Sequence, residues 1–256
     1  MHEAYQCLVT SLKAVDRVAI AFSGGVDSAL VAQAAIDAGI DTIAITVVSP
    51  VFARWQRRQA TAAANEIGIQ HIIVTADVFP PVGQDRCYRC KLEMARLWTQ
   101  TAAEHGFSMV ADGVTIADLK DPSMPGAHAA TEAGIWHPLA ELELSGADIR
   151  EMARHRGLSI WDAPSEACLA SRLPPEATIT REKLDRIEQA EDLLRGITAR
   201  VRVRCHGDIA RIEVPPDAFE TVLQQRERIA VRFIELGFRY VTLDLQGFRH
   251  GSMHPR

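Results

Sequence analysis

No general excess of basic residues runs through this chain: 28 Lys and Arg face 33 Asp and Glu, for a net charge of −5. Proteins whose main partner is nucleic acid carry a basic surplus, so that class is set aside apart from a local basic groove. No apolar run approaches the length of a membrane span, so no membrane partner is expected. The first residues, Met1 to Cys7, include an acid and no long apolar stretch. A cytoplasmic protein without a secretory signal is the expectation. Five cysteines, Cys7, Cys87, Cys90, Cys168 and Cys205, are too few and too irregular for a disulfide framework. In a reducing compartment such cysteines bind metal, react or fill space. Internal repeats and low-complexity segments are also missing. What is left is an ordinary globular composition, 47% hydrophobic and 24% charged over 256 residues, enough for one large core or two small ones.

Against that background one stretch stands out. The apolar run Val18-Ala19-Ile20-Ala21-Phe22 ends abruptly in Ser23-Gly24-Gly25-Val26-Asp27-Ser28, and a helix-compatible segment follows at once. Paired glycines let the backbone turn tightly and bring its N–H groups close to an anion. The helix that begins there aims its positive dipole end at the same spot. No Gly-Lys-Ser/Thr follows, so this phosphate cradle is not a Walker A loop. Ser-Gly-Gly-x-Asp-Ser instead resembles the loop of ATP pyrophosphatases, which split ATP into AMP and pyrophosphate. Ser23, Gly24, Gly25, Asp27 and Ser28 are therefore the candidate ATP-binding residues. Asp27, the nearest carboxylate, is the candidate to help hold Mg²⁺, the other reading being a favourable charge at a helix N-terminus.

The first half alternates strand-like and helix-like segments: strands at 17–22, 41–48, 71–74 and 108–112, helices at 27–38, 53–68 and 87–105. Such alternation predicts an α/β fold, a parallel sheet with helices on both faces. Ligands gather at the carboxyl ends of such strands, where the loop 23–28 and Asp112-Gly113 both fall. A helix at 145–156 with Ser145 as its cap comes next. From Thr180 the pattern becomes α-β-β-α-β: a helix at 180–195, a hairpin of 200–206 and 209–214 across Gly207-Asp208, a helix at 217–236 and a strand at 240–245. The expected organisation is a first domain of residues 1–175 and a small α+β domain of residues 176–256.

Two cysteine elements carry candidate chemistry. Arg86-Cys87-Tyr88-Arg89-Cys90-Lys91 is a Cys-x-x-Cys at a predicted helix start, where the dipole and basic neighbours favour thiolates. Cys168, in Ala167-Cys168-Leu169-Ala170-Ser171-Arg172 just before the small domain, reads as a positioned thiol with Arg172 beside it. A zinc site, a redox pair and an iron–sulfur site held by Cys87, Cys90 and Cys168 all compete here. Cys7 and Cys205 read as packing residues. Arg202, Arg204 and His206 share a strand face that is either solvated or an anion site, with Arg202 and Arg204 the candidates for a substrate phosphate. Glu188, Glu191 and Glu213 read as solvated acids. Trp98 reads as a buried helix residue, with stacking on a pyridinium ring as the other reading.

Taken together, the loop Ser23–Ser28, Arg-Cys-x-x-Cys-Lys, Asp112-Gly113, Cys168-Leu169-Ala170-Ser171-Arg172, Arg204-x-His206-Gly207-Asp208 and Gly251-Ser252-Met253 resemble the LarE family. These are ATP-dependent sulfur transferases of nickel-pincer cofactor biosynthesis, and the resemblance runs from about residue 15 to 254. It implies a PP-loop domain of the adenine nucleotide alpha hydrolase type and a homo-oligomeric enzyme. The implied substrate is pyridinium-3,5-biscarboxylic acid mononucleotide, whose carboxylates ATP activates as acyl-adenylates before sulfur replaces AMP. In single-cysteine members the thiol of Cys-Leu-Ala-Ser-Arg gives up its own sulfur and becomes dehydroalanine. In three-cysteine members the cysteines hold a [4Fe-4S] cluster, and this chain has all three, Cys87, Cys90 and Cys168. The implied cofactors are ATP, Mg²⁺ and that cluster, and the implied catalytic residues are Cys168, Asp27 and Arg172. Departures fall near the substrate: Thr115-Ile116-Ala117-Asp118 where relatives show Asn-Ala-Asp-Asp, and Pro174-Pro175-Glu176 where Pro-Tyr-Gly is common. The rival readings are a PP-loop enzyme that thiolates tRNA and a non-catalytic nucleotide-binding module.

Overall fold

A computed structural model describes residues 2–164, 166–249 and 252. The chain divides into two compact units, Met1–Val78 with Asp85–Ser165, and Phe79–Gln84 with Glu166–Arg256. In the first, the elements in chain order are α1 (His2–Lys13), β1 (Arg17–Ala21), α2 (Val26–Ala38), β2 (Asp41–Val48), α3 (Arg54–Ile67), β3 (Gln70–Thr75), α4 (Arg86–Glu104), β4 (Val110–Ala111), α5 (Ile116–Lys120), α6 (Pro125–Glu132), α7 (Pro138–Glu141) and α8 (Gly146–His155). The strands form a parallel sheet in the order β3-β2-β1-β4. Trp136 bridges Ala111 in parallel beyond that edge.

Period-2 alternation in β1 explains the layering. Val18, Ile20 and Phe22 enter a core with α1, α2, α3 and α8, through Leu8, Leu12, Leu30, Ala64, Ile149 and Met152. Ala19 and Ala21 face the opposite side, against Ala95 and Ala102 of α4 and Ala130 of α6. Helices thus cover both faces, the α/β architecture expected of a PP-loop fold. Because β2 and β4 flank β1 on opposite sides, the connections leaving β1 and β4 diverge. That divergence is where open α/β sheets bind ligands, and Ser23–Ser28 and Asp112-Gly113 lie there.

The second unit holds a 3-10 turn (Leu169–Arg172), α9 (Arg181–Arg195), β5 (Arg202–His206), β6 (Ile209–Glu213), a second 3-10 turn (Pro216–Ala218), α10 (Phe219–Gln224), α11 (Arg226–Glu235) and β7 (Tyr240–Leu243). β5 and β6 form the expected antiparallel hairpin, and β7 adds to β6 in parallel. The Thr180 and Ser145 caps are both formed, accepting from the N–H groups of Lys183 and Asp148.

Several boundaries differ from expectation. The helix expected over 217–236 is broken: Gln225, at φ −97° and ψ 12°, ends α10 and opens α11. The strands expected at 108–112 and 240–245 shrink to Val110–Ala111 and Tyr240–Leu243. The second unit begins at Glu166, ahead of the expected division at 175/176, because Arg172 is bound to Glu191 of α9. Residues 79–84 join it through a Gly83 N–H bond to the Pro175 carbonyl, 3.0 Å, and Arg181 over the Phe79 ring. Gly251 and Met253, part of the terminal resemblance, lie outside the described residues. Among the described residues no helix is long and apolar enough to cross a membrane.

Candidate functional site

In the first unit the loop between β1 and α2 is held by its own hydroxyls. Ser28 Oγ donates to the Gly25 carbonyl (3.2 Å) and accepts from the Ser23 N–H (3.3 Å). Ser23 Oγ accepts from the Gly25 N–H at 3.2 Å and lies 3.0 Å from Ser28 Oγ. Gln59 of α3 donates to the Gly24 carbonyl, 2.8 Å. Gly24 has φ +74°, and a Cβ there would sit 2.4 Å from Ala60 Cα. Only glycine meets both the backbone angle and the approach of α3. At α2 the N-cap is Gly25, with no side-chain cap, so the first-turn N–H groups keep their anion-binding capacity. The geometry is that of a candidate anion cradle, built of backbone donors and two hydroxyls.

Asp27 is half-buried in that first turn. Burial, and then the Asp118 carboxylate, push its pKa up to about 6, with Arg150 working the other way. A cation placed there would relieve that penalty, which suits a divalent ion accompanying polyphosphate. The exit of β4 closes against the same turn: a Cβ at Gly113 would lie 2.5 Å from Ser28 N and 2.9 Å from Asp27 Cβ.

The N-terminal end of α4 carries Cys87, exposed, and Cys90, half-buried, about one helical turn apart. As a pair they fit two ligands of a cluster. Cys168 is half-buried in the other unit. Among the described residues, no three His, Cys, Asp or Glu side chains come together as a metal-binding group. Neither unit alone therefore contains the three-thiolate set. Trp98, further along α4, is partly buried against the core, with the Lys91 ammonium 5.1 Å from its ring centre.

In the second unit Cys168 caps the 3-10 turn Leu169–Arg172. Arg172, only 1% exposed, grips the backbone around that thiol. It donates to the carbonyls of Ala167 (2.7 Å) and Cys168 (3.2 Å) and to Ser171 Oγ (3.1 Å). Its other donors go to Glu191 at 2.8 and 3.2 Å, with Glu166 at 3.4 Å. Burial works against its charge, but Glu191 and Glu166 outweigh burial and hold it above its ordinary pKa. Arg172 is thus occupied in holding the Cys168 segment.

Arg202 and Arg204 are buried, 5% and 2% exposed, not on a solvated strand face. Arg204 bonds Glu213 through Nε and Nη2, each at 3.0 Å, and the Ser171 carbonyl at 3.0 Å. Burial outweighs Glu213 and brings its pKa down to about 10. Arg202 lies over the Phe248 ring at 4.7 Å, and its buried Nε has no partner among the described residues. Burial and then Arg172 lower its pKa. A buried guanidinium N–H in that condition is one that an anion would satisfy, which keeps Arg202 as the candidate for a substrate phosphate. Cys205 is buried, as expected of a packing residue, whereas Cys7 is exposed. Glu188, Glu191 and Glu213, expected on the surface, are at most 4% exposed. Glu191 and Glu213 pair with Arg172 and Arg204, which come from other elements, and pairing is what lets carboxylates be buried. Sequence reasoning also missed the buried Asp112–His137 pair; the only signal was the position of Asp112 at a strand end.

The chain is 40% identical over 249 residues to an uncharacterised protein of Synechocystis, covering 94% of this chain and 92% of that one. Over 256 residues it is 36% identical to the pyridinium-3,5-bisthiocarboxylic acid mononucleotide synthase of Lactiplantibacillus plantarum, covering 96% and 92%. An uncharacterised protein of Methanocaldococcus jannaschii is 28% identical over 234 residues, covering 91% of each. No protein-family model matches the chain.

Proposed function

The chain belongs to the LarE family, that of the pyridinium-3,5-bisthiocarboxylic acid mononucleotide synthase, and from that premise we propose an ATP-dependent sulfur transferase of nickel-pincer cofactor biosynthesis. Its substrate is pyridinium-3,5-biscarboxylic acid mononucleotide, and its chemistry is AMP- and pyrophosphate-forming. The observation that carries the reading is the uncapped α2 N-terminus with Ser23, Gly24, Gly25 and Ser28 around it.

A substrate carboxylate oxygen attacks the α-phosphorus of ATP, and the bond to pyrophosphate breaks. The cradle's N–H groups and hydroxyls receive the charge that develops on the leaving pyrophosphate. Asp27 would hold Mg²⁺, which would neutralise charge on the phosphates. Arg202 anchors the substrate's own phosphate, with Arg204 beside it; binding energy gathered there positions the reacting carboxylate. A sulfur nucleophile then attacks the acyl carbon, and AMP leaves. If Cys168 gives its own sulfur, the Cβ–Sγ bond breaks with loss of the Cα proton and dehydroalanine remains. Held by Cys87, Cys90 and Cys168, a [4Fe-4S] cluster would supply a transferable sulfide instead. Arg172 keeps the Cys168 segment in place under either source. Assembly as a homo-oligomer and a cytoplasmic location complete the proposal.

The test is anaerobic incubation with ATP, Mg²⁺ and the biscarboxylated mononucleotide, reading AMP, pyrophosphate and thiolated product. Thiocarboxylate formed with AMP and pyrophosphate supports the assignment. ATP binding without pyrophosphate release would point to a binding module. Pyrophosphate release that requires tRNA would point to the rival thiolation enzyme.

A further inference from the structure

The turn that leaves β4 is held by a side-chain array in which the proposed chemistry has no part. His137 and Asp112 are 7% and 4% exposed. His137 Nδ1 lies 2.7 Å from Asp112 Oδ1, and its Nε2 lies 3.0 Å from Thr131 Oγ1 of α6. Asp112 Oδ1 also accepts the Val114 N–H at 2.9 Å, while Oδ2 is buried with no partner among the described residues. A carboxylate oxygen accepts, so Nδ1 carries the proton and donates. The carboxylate is thus fixed through one oxygen by two donors, and one of them is His137.

His137 is itself rigidly placed. It follows Trp136, whose N–H donates to the Val110 carbonyl at 2.9 Å and whose carbonyl accepts from the Asp112 N–H at 2.9 Å. The next residue after Asp112 is Gly113, packed against Ser28 N and Asp27. Asp112 therefore sets how the β4 exit meets the first turn of the anion cradle.

We propose that His137 is a positioning residue for nucleotide binding: through its Nδ1–H bond to Asp112 it registers Gly113 against the Ser28 end of the cradle. The inference rests on the cradle being the ATP site. Losing this bond leaves the carboxylate with the Val114 N–H alone, and the β4 exit shifts against Ser28. The cost appears in nucleotide affinity of the folded protein.

Two polar variants of His137 separate the bond from the fold. His137→Asn keeps an N–H near the Nδ1 position, whereas His137→Gln places its amide near Nε2, toward Thr131. Binding of MgATP is titrated calorimetrically on the full chain, with thermal melting run alongside to establish that each variant is folded. We expect His137→Gln to bind about tenfold more weakly than the parent and His137→Asn to stay within about threefold. Equal affinities of the two folded variants, whether native or weakened, overturn the inference. A parent protein that binds no MgATP overturns the ATP assignment itself, and the inference falls with it. Unchanged His137→Gln binding beside a binding parent removes the inference alone.

Discussion

At the residue scale, Asp27 shows how the cradle sets stability against function. Its folded pKa of about 6 lies above the ordinary 3.8, because burial and then Asp118 disfavour the charge. Between those values the folded state holds a proton that the unfolded chain has released. The stabilising contribution is therefore complete below about pH 4 and lost as pH rises through 6. By linkage the loss reaches up to about 3 kcal/mol at neutral pH for this one group. Asp27→Asn should remove that slope, so the variant gains on the parent as pH rises from 4.5 to 7. Urea denaturation of both proteins across that range, without nucleotide, isolates the difference because the other carboxylates cancel. Parallel curves would show that Asp27 titrates as an ordinary carboxylate. The strand–turn–helix form of the loop was legible from the sequence because six consecutive residues carry its signature. The Asp112–His137 bond was not, since its members are 25 residues apart and only the fold brings them together.

Elements were legible where an apolar run is bounded by turn residues, as for β1 and β2, or where one helix face is apolar and a cap is local, as for α8 and α9. Their surroundings stay open in the sequence where distant charges decide. Arg-x-Arg-x-His on β5 alternates with apolar residues and looks half-solvated, yet Arg202 and Arg204 are buried with acids of β6 and α9 around them. The break at Gln225 also lacked a local signal, since no glycine or proline marks it. Glu191 is the hub of this element cluster. Its two oxygens accept from Arg172 twice, from Arg195 Nη2 and from the Val203 N–H. Those bonds tie α9 to the Cys168 turn and to β5. Neutralising one partner of a buried pair leaves the other uncompensated, at a cost of about 3–5 kcal/mol. Glu191→Gln should therefore lower the urea midpoint sharply, while Glu235→Gln, breaking the exposed pair with Arg232, should leave it unmoved. Comparable shifts for the two variants would mean that the buried network contributes no more than a surface pair.

For the whole molecule, what counts is how the chain apportions its chemistry between the two units. The anion cradle, Asp27 and the Cys87/Cys90 pair belong to the first, whereas Cys168, Arg172, Arg202 and Arg204 belong to the second. The two candidate sulfur sources therefore make different demands. A sacrificial thiol needs the second unit's Cys168 alone, and Cys87 and Cys90 would be dispensable. A three-thiolate cluster needs Cys87, Cys90 and Cys168 alike, so losing any one cysteine would open a second iron position and weaken the whole site. Reconstitution with iron and sulfide under anaerobic conditions, followed by iron analysis and visible absorption, reads this directly. We expect the parent to retain a cluster and Cys87→Ala, Cys90→Ala and Cys168→Ala each to lose it, with turnover leaving the protein mass unchanged. If Cys87→Ala and Cys90→Ala still form product while the protein loses one H₂S per sulfur transferred, Cys168 is the donor. In that case the Cys-x-x-Cys of α4 has no part in sulfur transfer.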